Sequence, residues 1–320
     1  IDNVSSNKVP LISKQEVSNN DDYNKNLPAG TVTLNEVVLY GKSTANQIIK
    51  KVIDDLRKNY PDTEINSTMF TNIKTDVESN NLLDFDFVAK QYDNGYFNDY
   101  RSTRQLQEIK WNVRKGYEPF STRTFWGLGI NQIRRTTVLS WRKYKKYTFI
   151  LEEIKKHKNK DVYVISFSTT RNHWNYTRRG YLSNYSGILY INKDDFAVVK
   201  IIENWEITEM DTRWLNGIYL KDDLDNHSIK SIINEKSETD FVNINNLYFL
   251  SNYKLELTGE IINKKTQKTF PYKTMINAHW FDFNTVNPVK INFKDEIEVF
   301  DKIKYNKEFW DKFSYPEITK

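Results

Sequence analysis

Short apolar runs alternate with short polar turns along the chain from Tyr147 to Phe283. The runs are rich in Val, Ile, Tyr and Phe, and the turns between them are two to five residues long, as at Asn245-Asn246. Links this short join antiparallel neighbours, so the pattern predicts successive β-hairpins. We therefore expect about seven strands in series to form one antiparallel meander.

A helix with one apolar side precedes this meander. Residues Ser43–Tyr60 place their aliphatic side chains at helical spacing, with Thr44 as the expected cap and Pro61 ending the pattern. A wide antiparallel sheet must cover a face, close on itself or curve, and such a helix is suited to lie across one. The expected fold class is mainly β, of α+β type: a strongly curved antiparallel sheet, or half-barrel, with the helix packed across it. The apolar stripe consists of Ile48, Ile49, Val52, Ile53 and Leu56.

The chain divides into a polar arm and one domain. Residues 1–30 are polar and lack periodicity, which predicts a linker or an extended arm. Residues 31–320 are expected to form a single domain, in which 31–140 is an N-terminal strand and helix block and 141–320 is the main meander. The smaller expected elements are strands at Thr31–Leu39, NSTMFTNIKTDV and DFDFVAKQY, a helix or strand at Thr103–Val113, and a short closing helix at Asn306–Phe313.

The composition supports a packed core and excludes thiol chemistry. Only 38% of the residues are hydrophobic, but 20 Tyr, 18 Phe and 8 Trp supply large areas for burial. The absence of cysteine rules out disulfides, thiolate zinc ligands and a cysteine nucleophile. No segment approaches the roughly 18–20 apolar residues that span a bilayer. Because the chain begins at Ile1 and not at Met, we expect an exported product whose signal segment is absent from it.

Basic residues are clustered within a formal net charge of +5. Clusters mixed with tyrosine could form a nucleic-acid or anionic-membrane surface. Lysine at strand ends and turns also provides a solvated edge that discourages aggregation. We expect the second explanation, and no nucleic acid partner, because no recognised nucleic-acid-binding module accompanies the charge. The clusters are Arg134-Arg135, Arg142–Lys146, Lys155–Lys160 and Arg178-Arg179.

No residue set in the sequence indicates a particular reaction. Asp222–His227 lacks the alternation of a calcium loop, so a polar turn is expected there. Glu203 and Glu206 should point to opposite faces of one strand, and the sequence contains neither a GxSxG motif nor a glycine-rich phosphate loop. We therefore expect no metal, no cofactor and no enzymatic activity, with an envelope hydrolase as the third candidate function. The histidines, which lack metal-ligand spacing, are His157, His173, His227 and His279.

Large apolar side chains recur with a period of two on the predicted strands, so the members of each set share one face. One explanation is a sheet core packed under the helix. The other is a concave face that holds an acyl chain or another apolar ligand, and the two overlap because a half-barrel under a helix has both. An open apolar cavity of about 300 Å³ or more would favour a ligand. The candidate ligand-binding residues are Tyr163, Ile165, Phe167, Ile201, Trp205, Phe249, Tyr253 and Leu255.

Two parts of the chain resemble segments of cell-envelope proteins. LNEVVLYGKSTANQIIKKVIDDLRKNYP, residues 34–61, resembles the segment that follows a carboxypeptidase-like regulatory domain. YTFILEEIKKHKNKDVYVISFS and SGILYINKDDFAVVKIIENWEI resemble the lipoprotein carrier family (LolA/LolB-like), within residues 145–283 at most. No zinc ligands accompany the first resemblance, and no individual binding residue of the second family maps onto this chain.

The lipoprotein-carrier resemblance implies a curved antiparallel sheet closed by helices around an apolar cavity. It also implies a non-enzymatic binding protein in the periplasm or at the outer membrane, with a lipid or lipoprotein as ligand and an envelope protein as a further partner. The alternative is a structural or interaction module of an outer-membrane assembly that binds no ligand.

We predict that the protein retains no metal, because it has no thiolate and its histidines lack ligand spacing. After dialysis into chelator-free buffer, elemental analysis should find no stoichiometric zinc. A stable equivalent of zinc per chain would contradict this expectation.

Overall fold

The apolar runs of the sequence form one ten-stranded antiparallel sheet in the computed structural model of the protein. The structure describes residues 42–78, 80–98, 102–114, 131–179, 182–209, 227–263, 265–291 and 303–314. The strands lie in the order β3-β2-β1-β10-β9-β8-β7-β6-β5-β4. They are β1 (Ile65–Val77), β2 (Asn80–Asp93), β3 (Thr103–Arg114), β4 (Thr148–His157), β5 (Lys160–Thr169), β6 (Leu182–Asn192), β7 (Val198–Glu209), β8 (His227–Ile244), β9 (Leu247–Asn263) and β10 (Thr269–Asn284).

The seven strands from β4 to β10 pair in chain order, which confirms the predicted meander. The turn between β4 and β5 has φ values of 47° at Lys158 and 65° at Asn159. The turn between β8 and β9 has φ values of 51° at Asn245 and 67° at Asn246. Two consecutive positive φ angles match the right-handed twist of the flanking strands, so these short turns hold each hairpin in register.

The three N-terminal strands extend the same sheet, because β1 pairs with β10. Ile73 on β1 lies opposite Ile276 on β10 and Phe85 on β2. The ambiguous segment Thr103–Val113 is a strand that pairs with β2. The meander is thus continued past its C-terminal strand by the strands that come first in the chain.

Helix α1 (Lys42–Asn59) packs across the curved sheet and contacts both β4 and β9, which stand five places apart in the strand order. Ile48, Ile49 and Val52 of its apolar stripe are buried, and so is Ala45 beside them. Ile53 and Leu56 of the stripe are half-buried. The helix begins two residues before Thr44, so that residue lies in the first turn and the expectation that it caps the helix is wrong. Among the described residues, no helix combines the length and apolar character that a bilayer crossing requires.

The C-terminal end of α1 is tied to the sheet by hydrogen bonds. The Asn59 side-chain amide donates to the backbone oxygen of Asp195 over 2.7 Å, and the Tyr60 hydroxyl donates to that of Val198 over 2.7 Å. The Tyr60 ring also contacts Phe241, with 5.5 Å between the ring centroids. Burial raises the pKa of Tyr60 well above its usual value, so its hydroxyl stays a donor.

Three short helices complete the described fold: α2 (Gln132–Arg135), α3 (Trp174–Thr177) and α4 (Lys307–Lys312), with a 3₁₀ turn at Tyr144–Lys146. Helix α4 confirms the predicted closing helix. The Asn306 side chain caps it by accepting from the Phe309 backbone over 3.1 Å. Phe313 stacks on Phe70 of β1 at 5.4 Å between centroids.

Several expectations concern residues for which no structure is given. The predicted arm, residues 1–30, and the predicted strand Thr31–Leu39 lie outside the described residues. Residues 222–226 of the predicted polar turn lie outside them as well, while His227 begins β8.

Replacing Ile49 by Ala tests whether α1 is held by its apolar stripe. Ile49 is fully buried, so its loss should lower the free energy of unfolding by about 2–5 kcal/mol. Urea denaturation measures this change. The control is Lys50→Ala on the exposed side of the same helix, which should alter stability by less than about 0.5 kcal/mol. Equal losses for the two variants would show that α1 does not pack as described.

Candidate functional site

Strand pairing brings six of the eight predicted ligand-binding residues into three adjacent rows across the middle of the sheet. Residues directly opposite each other on paired strands share one face, so each row is a line of neighbouring side chains. We call these rows the inner face. The first row is Ile165, Leu189, Ile201, Thr239 and Tyr253, the second is Phe167, Gly187, Glu203, Ser237 and Leu255, and the third is Tyr185, Trp205, Glu235 and Leu257.

The other two predicted residues lie near the inner face without joining these rows. Tyr163 is half-buried and stacks on Phe196, with 6.3 Å between the ring centroids. Phe249 is buried on β9, where a register shift intervenes before Tyr253. Its ring contacts Phe283 at 4.9 Å. Six of the residues predicted from the alternation therefore lie together, while Tyr163 and Phe249 lie apart from them.

The centre of the inner face is filled by side chains. Gly187 leaves a gap that the Phe167 ring occupies, since a Cβ atom at residue 187 would lie 2.5 Å from Phe167 Cζ. Phe167 contacts Tyr185 at 5.3 Å between centroids, and Tyr185 stacks on Trp205 at 5.1 Å with an interplanar angle of 9°. Ile165 is buried completely. Packing this close leaves no room for an acyl chain at these described residues unless their side chains or helix α1 are displaced.

A buried carboxylate lies in the second row. Glu203 is 1% exposed; Tyr185 donates to its Oε1 over 2.6 Å and Ser237 donates to its Oε2 over 3.2 Å. Burial raises the pKa of Glu203, while the hydrogen bond from Tyr185 and the charge of Arg179 oppose the rise. Sequence reasoning assigned no role to this group. The signal was a single charge within the alternating stripe Ile201, Glu203, Trp205.

An arginine reaches the third row and stacks on its tryptophan. Arg179 forms a two-pronged ion pair with Glu235, in which Nε donates to Oε2 over 2.8 Å and Nη2 donates to Oε1. Its guanidinium lies 3.8 Å from the centroid of the Trp205 ring. Trp205 Nε1 in turn donates to the backbone oxygen of Thr177 over 2.9 Å. Glu235 is therefore held as an ion-pair partner, which leaves it poorly placed to act with Glu203 as a second catalytic carboxylate.

A separate cavity lies at one end of β1 and β2 and is too small for an apolar ligand. Its volume of about 10 Å³ accommodates roughly one water molecule. Its lining includes the side chains of Gln91 and Asp93, both buried and polar. Gln91 Oε1 accepts hydrogen bonds from Arg104 and Trp280, and Asp93 pairs with Arg134. The polar side chains that line the cavity therefore form part of the protein's own hydrogen-bond network.

The predicted opposite orientation of the two central glutamates is found, since Glu203 is buried and Glu206 is exposed. Within the described part of the chain, no three His, Asp or Glu side chains converge as metal ligands. Instead, the Nδ1–H group of His279 donates a hydrogen bond to Oδ1 of Asn252 over 2.5 Å. The expected lack of metal and cofactor remains a prediction.

No protein-family model and no curated protein sequence matches the chain. Similar solved structures include a putative outer membrane lipoprotein-sorting protein domain from Vibrio parahaemolyticus, at 11% identity and a TM-score of 0.33, covering 79% of this chain and 97% of that one. A DUF1329 family protein from Desulfovibrio piger matches at 7% identity and a TM-score of 0.31, with coverages of 77% and 95%. A LolA superfamily protein from Nitrosomonas europaea matches at 10% identity and a TM-score of 0.26, with coverages of 81% and 99%. TM-scores this low do not establish a common family, and they assign no ligand or partner to this chain.

Replacing Glu203 by Gln tests the buried carboxylate through the pH dependence of stability. The pKa of Glu203 is raised in the folded state above its ordinary 4.5, so folding favours the protonated form. Glu203 therefore contributes fully to the free energy of unfolding below pH 4.5, and this contribution is lost as pH rises through the folded-state pKa. The free energy of unfolding of Glu203→Gln should therefore fall less between pH 4.5 and neutrality than that of the unaltered protein.

Urea titrations at a series of pH values give the required curves. The matched control is Glu206→Gln on the opposite, exposed face, which should retain the pH dependence of the unaltered protein. If both variants flatten the curve equally, the buried position of Glu203 is not its cause.

Proposed function

We propose that this protein is a non-enzymatic binding protein of the cell envelope, which holds an acyl chain or another apolar ligand against the inner face. The observation that carries the proposal is the joint core of α1 and the sheet. Ile48, Ile49 and Val52 of the helix belong to the same apolar cluster as Ile201 and Tyr253 of the inner face. An amphipathic helix across a curved apolar sheet is an arrangement in which a chain-like ligand can replace the helix.

The two ends of α1 are held by different forces. At its C-terminal end Asn59 and Tyr60 make hydrogen bonds to the sheet. Its N-terminal part packs through Ala45, Ile48 and Ile49. Apolar burial is non-directional and proportional to area, so an acyl chain could take over these contacts while the hydrogen-bonded end acts as a hinge. The ligand would then contact Tyr163, Ile165, Phe167, Ile201, Trp205, Phe249, Tyr253 and Leu255.

The polar cluster supports binding over catalysis. Glu235 is engaged by Arg179, and Glu203 is enclosed by Tyr185 and Ser237. Neither carboxylate lines the small cavity at the end of β1 and β2.

A second candidate function has its own support. The Phe167 ring fills the space above Gly187, as expected for the core of a structural or interaction module in an outer-membrane assembly. In that case the partner would be another envelope protein, and α1 would stay closed. The two candidates differ in whether the inner face takes up an apolar probe.

Native mass spectrometry of protein purified from its source, together with titration of a fluorescent fatty acid, tests the binding proposal. A co-purifying lipid and saturable probe binding are the expected results. Ile49→Ala should tighten probe binding, because weakening the closed helix raises the population that can bind. The control Lys50→Ala should leave the affinity unchanged. A protein that carries no lipid and takes up no probe in any variant would be a module.

Replacing Phe167 by Ala separates a ligand contact from a core residue. The ring is 3% exposed and packed, so its loss should lower the free energy of unfolding by about 3–5 kcal/mol. If the inner face binds the ligand, probe affinity should change as well. Phe87→Ala on β2 is the control, because it removes a fully buried ring elsewhere in the sheet.

Denaturation and probe titration are compared for the two phenylalanine variants. The proposal requires a change in affinity that is specific to Phe167→Ala. If both variants lose the same stability and bind the probe with the same affinity, Phe167 is a core residue and does not contact the ligand.

A further inference from the structure

Two basic segments that are distant in the sequence form one surface. One is the segment around the 3₁₀ turn before β4, and the other contains α3, between β5 and β6. Lys143 Nζ of the first donates to the backbone oxygen of Asn175 in the second over 2.7 Å. The Tyr147 hydroxyl donates to the backbone oxygen of Tyr176 over 2.7 Å. We call this surface the tryptophan–cation patch, and it consists of Trp141, Arg142, Lys143, Lys145, Lys146, Arg171, Trp174, Tyr176 and Arg178.

The patch exposes two tryptophans to solvent. Trp141 is 68% exposed and Trp174 is 54% exposed, whereas Trp205 and Trp280 in the core are 1% exposed. Each exposed indole carries a guanidinium over one ring face: Arg142 lies 4.9 Å from the Trp141 centroid, and the corresponding pair at Trp174 is 5.2 Å apart. The chain thus keeps two large apolar rings in water at a surface where it also concentrates positive charge.

The cations of the patch have no carboxylate partner within the described ranges. The stretches SWRKYKKY and TTRNHWNYTRR contain neither Asp nor Glu. Elsewhere, surface lysines such as Lys155, Lys156 and Lys273 pair with Glu or Asp side chains. Burial and the charge of Arg178 lower the pKa of Lys143, as expected where like charges crowd together. The surface is therefore complementary to an extended anionic partner.

Hydrogen bonds connect the backbone of the patch to the sheet and to the inner face. The backbone oxygen of Tyr176 accepts hydrogen bonds from the hydroxyls of Tyr147 and Thr137. The next backbone oxygen, of Thr177, accepts from Trp205 of the inner face. Thr177 itself is buried. The exposed rings are thus presented by a segment whose backbone is bonded to the sheet.

We propose that the tryptophan–cation patch docks the protein on the surface of an anionic phospholipid membrane. Indole rings favour the interface, where their apolar body and N–H group are both satisfied. Lys and Arg near an anionic leaflet each strengthen binding by about fivefold. A membrane fits better than a nucleic acid, because one face of each exposed indole is already covered by an arginine and is closed to base stacking. This docking stands independently of whether the inner face binds a ligand.

Vesicle flotation tests the docking. The whole protein should float with vesicles of phosphatidylglycerol and phosphatidylethanolamine, should stay unbound with phosphatidylcholine vesicles, and should be released by raised salt. Arg142→Glu/Arg178→Glu should lower the partition coefficient by about 25-fold or more, since each lost cation contributes about fivefold. Trp141→Ala/Trp174→Ala should also lower it, because it removes both interfacial rings. These four side chains are at the surface, and thermal melts should confirm that both variants fold.

A charge-matched control distinguishes the patch from net charge. Lys265→Glu/Lys268→Glu makes the same change at exposed positions in the turn between β9 and β10, and it should lower the partition coefficient by less than twofold. Equal loss in the control and in Arg142→Glu/Arg178→Glu would overturn the proposal. So would vesicle binding that is unaffected by any of the variants.

Two further measurements identify what the patch meets. Lipids brominated on the acyl chain should quench the fluorescence of the bound protein, and Trp141→Phe/Trp174→Phe should remove most of that quenching. A labelled single-stranded oligonucleotide should bind the unaltered protein no more tightly than it binds the Arg142→Glu/Arg178→Glu variant. Patch-dependent binding of the oligonucleotide without binding of vesicles would make the surface a nucleic-acid site and overturn the membrane proposal.

Discussion

The structure depends on covering one face of a wide, open antiparallel sheet. Within the described residues, the sheet ends at β3 and β4, and its inner face carries rows of Ile, Leu, Phe, Trp and Tyr. Ile48, Ile49 and Val52 of helix α1 belong to the same buried apolar cluster as the residues of that face, and the Phe167 ring fills the gap above Gly187. Because apolar burial is the main favourable term in folding, the position of the helix and the stacking of the rings both follow from this one requirement.

Polar groups within the covered face connect the interior to the surface. Glu203 and Glu235 are buried there, and each is satisfied by hydrogen bonds or an ion pair. Trp205 joins this cluster to Thr177, the last residue of α3. Buried polar groups are stable only when they have partners, and these carboxylates obtain theirs from a network of Tyr185, Ser237 and Arg179. It places the proposed ligand contacts beside the proposed membrane-docking surface.

Charge on this protein has two different environments. Lys155, Lys200 and Lys273 lie on strands and pair with acidic side chains. Arg142 and Arg178 instead lie over the rings of Trp141 and Trp174. The partners of each basic residue therefore depend on what the fold brings next to it.

The sequence by itself determined the features that depend on near neighbours in the chain. The dipeptides Lys158-Asn159 and Asn245-Asn246 specify two of the turns. Together with the alternation of Val, Ile, Tyr and Phe, such turns determine the meander. The stripe of α1 was readable for the same reason. Only the tertiary structure decided that β1 joins β10, that Glu203 meets Tyr185 and Ser237, and that the segments around Trp141 and Trp174 form one surface. These contacts join residues far apart in the chain, and local conformational preference carries no information about which distant partners will meet.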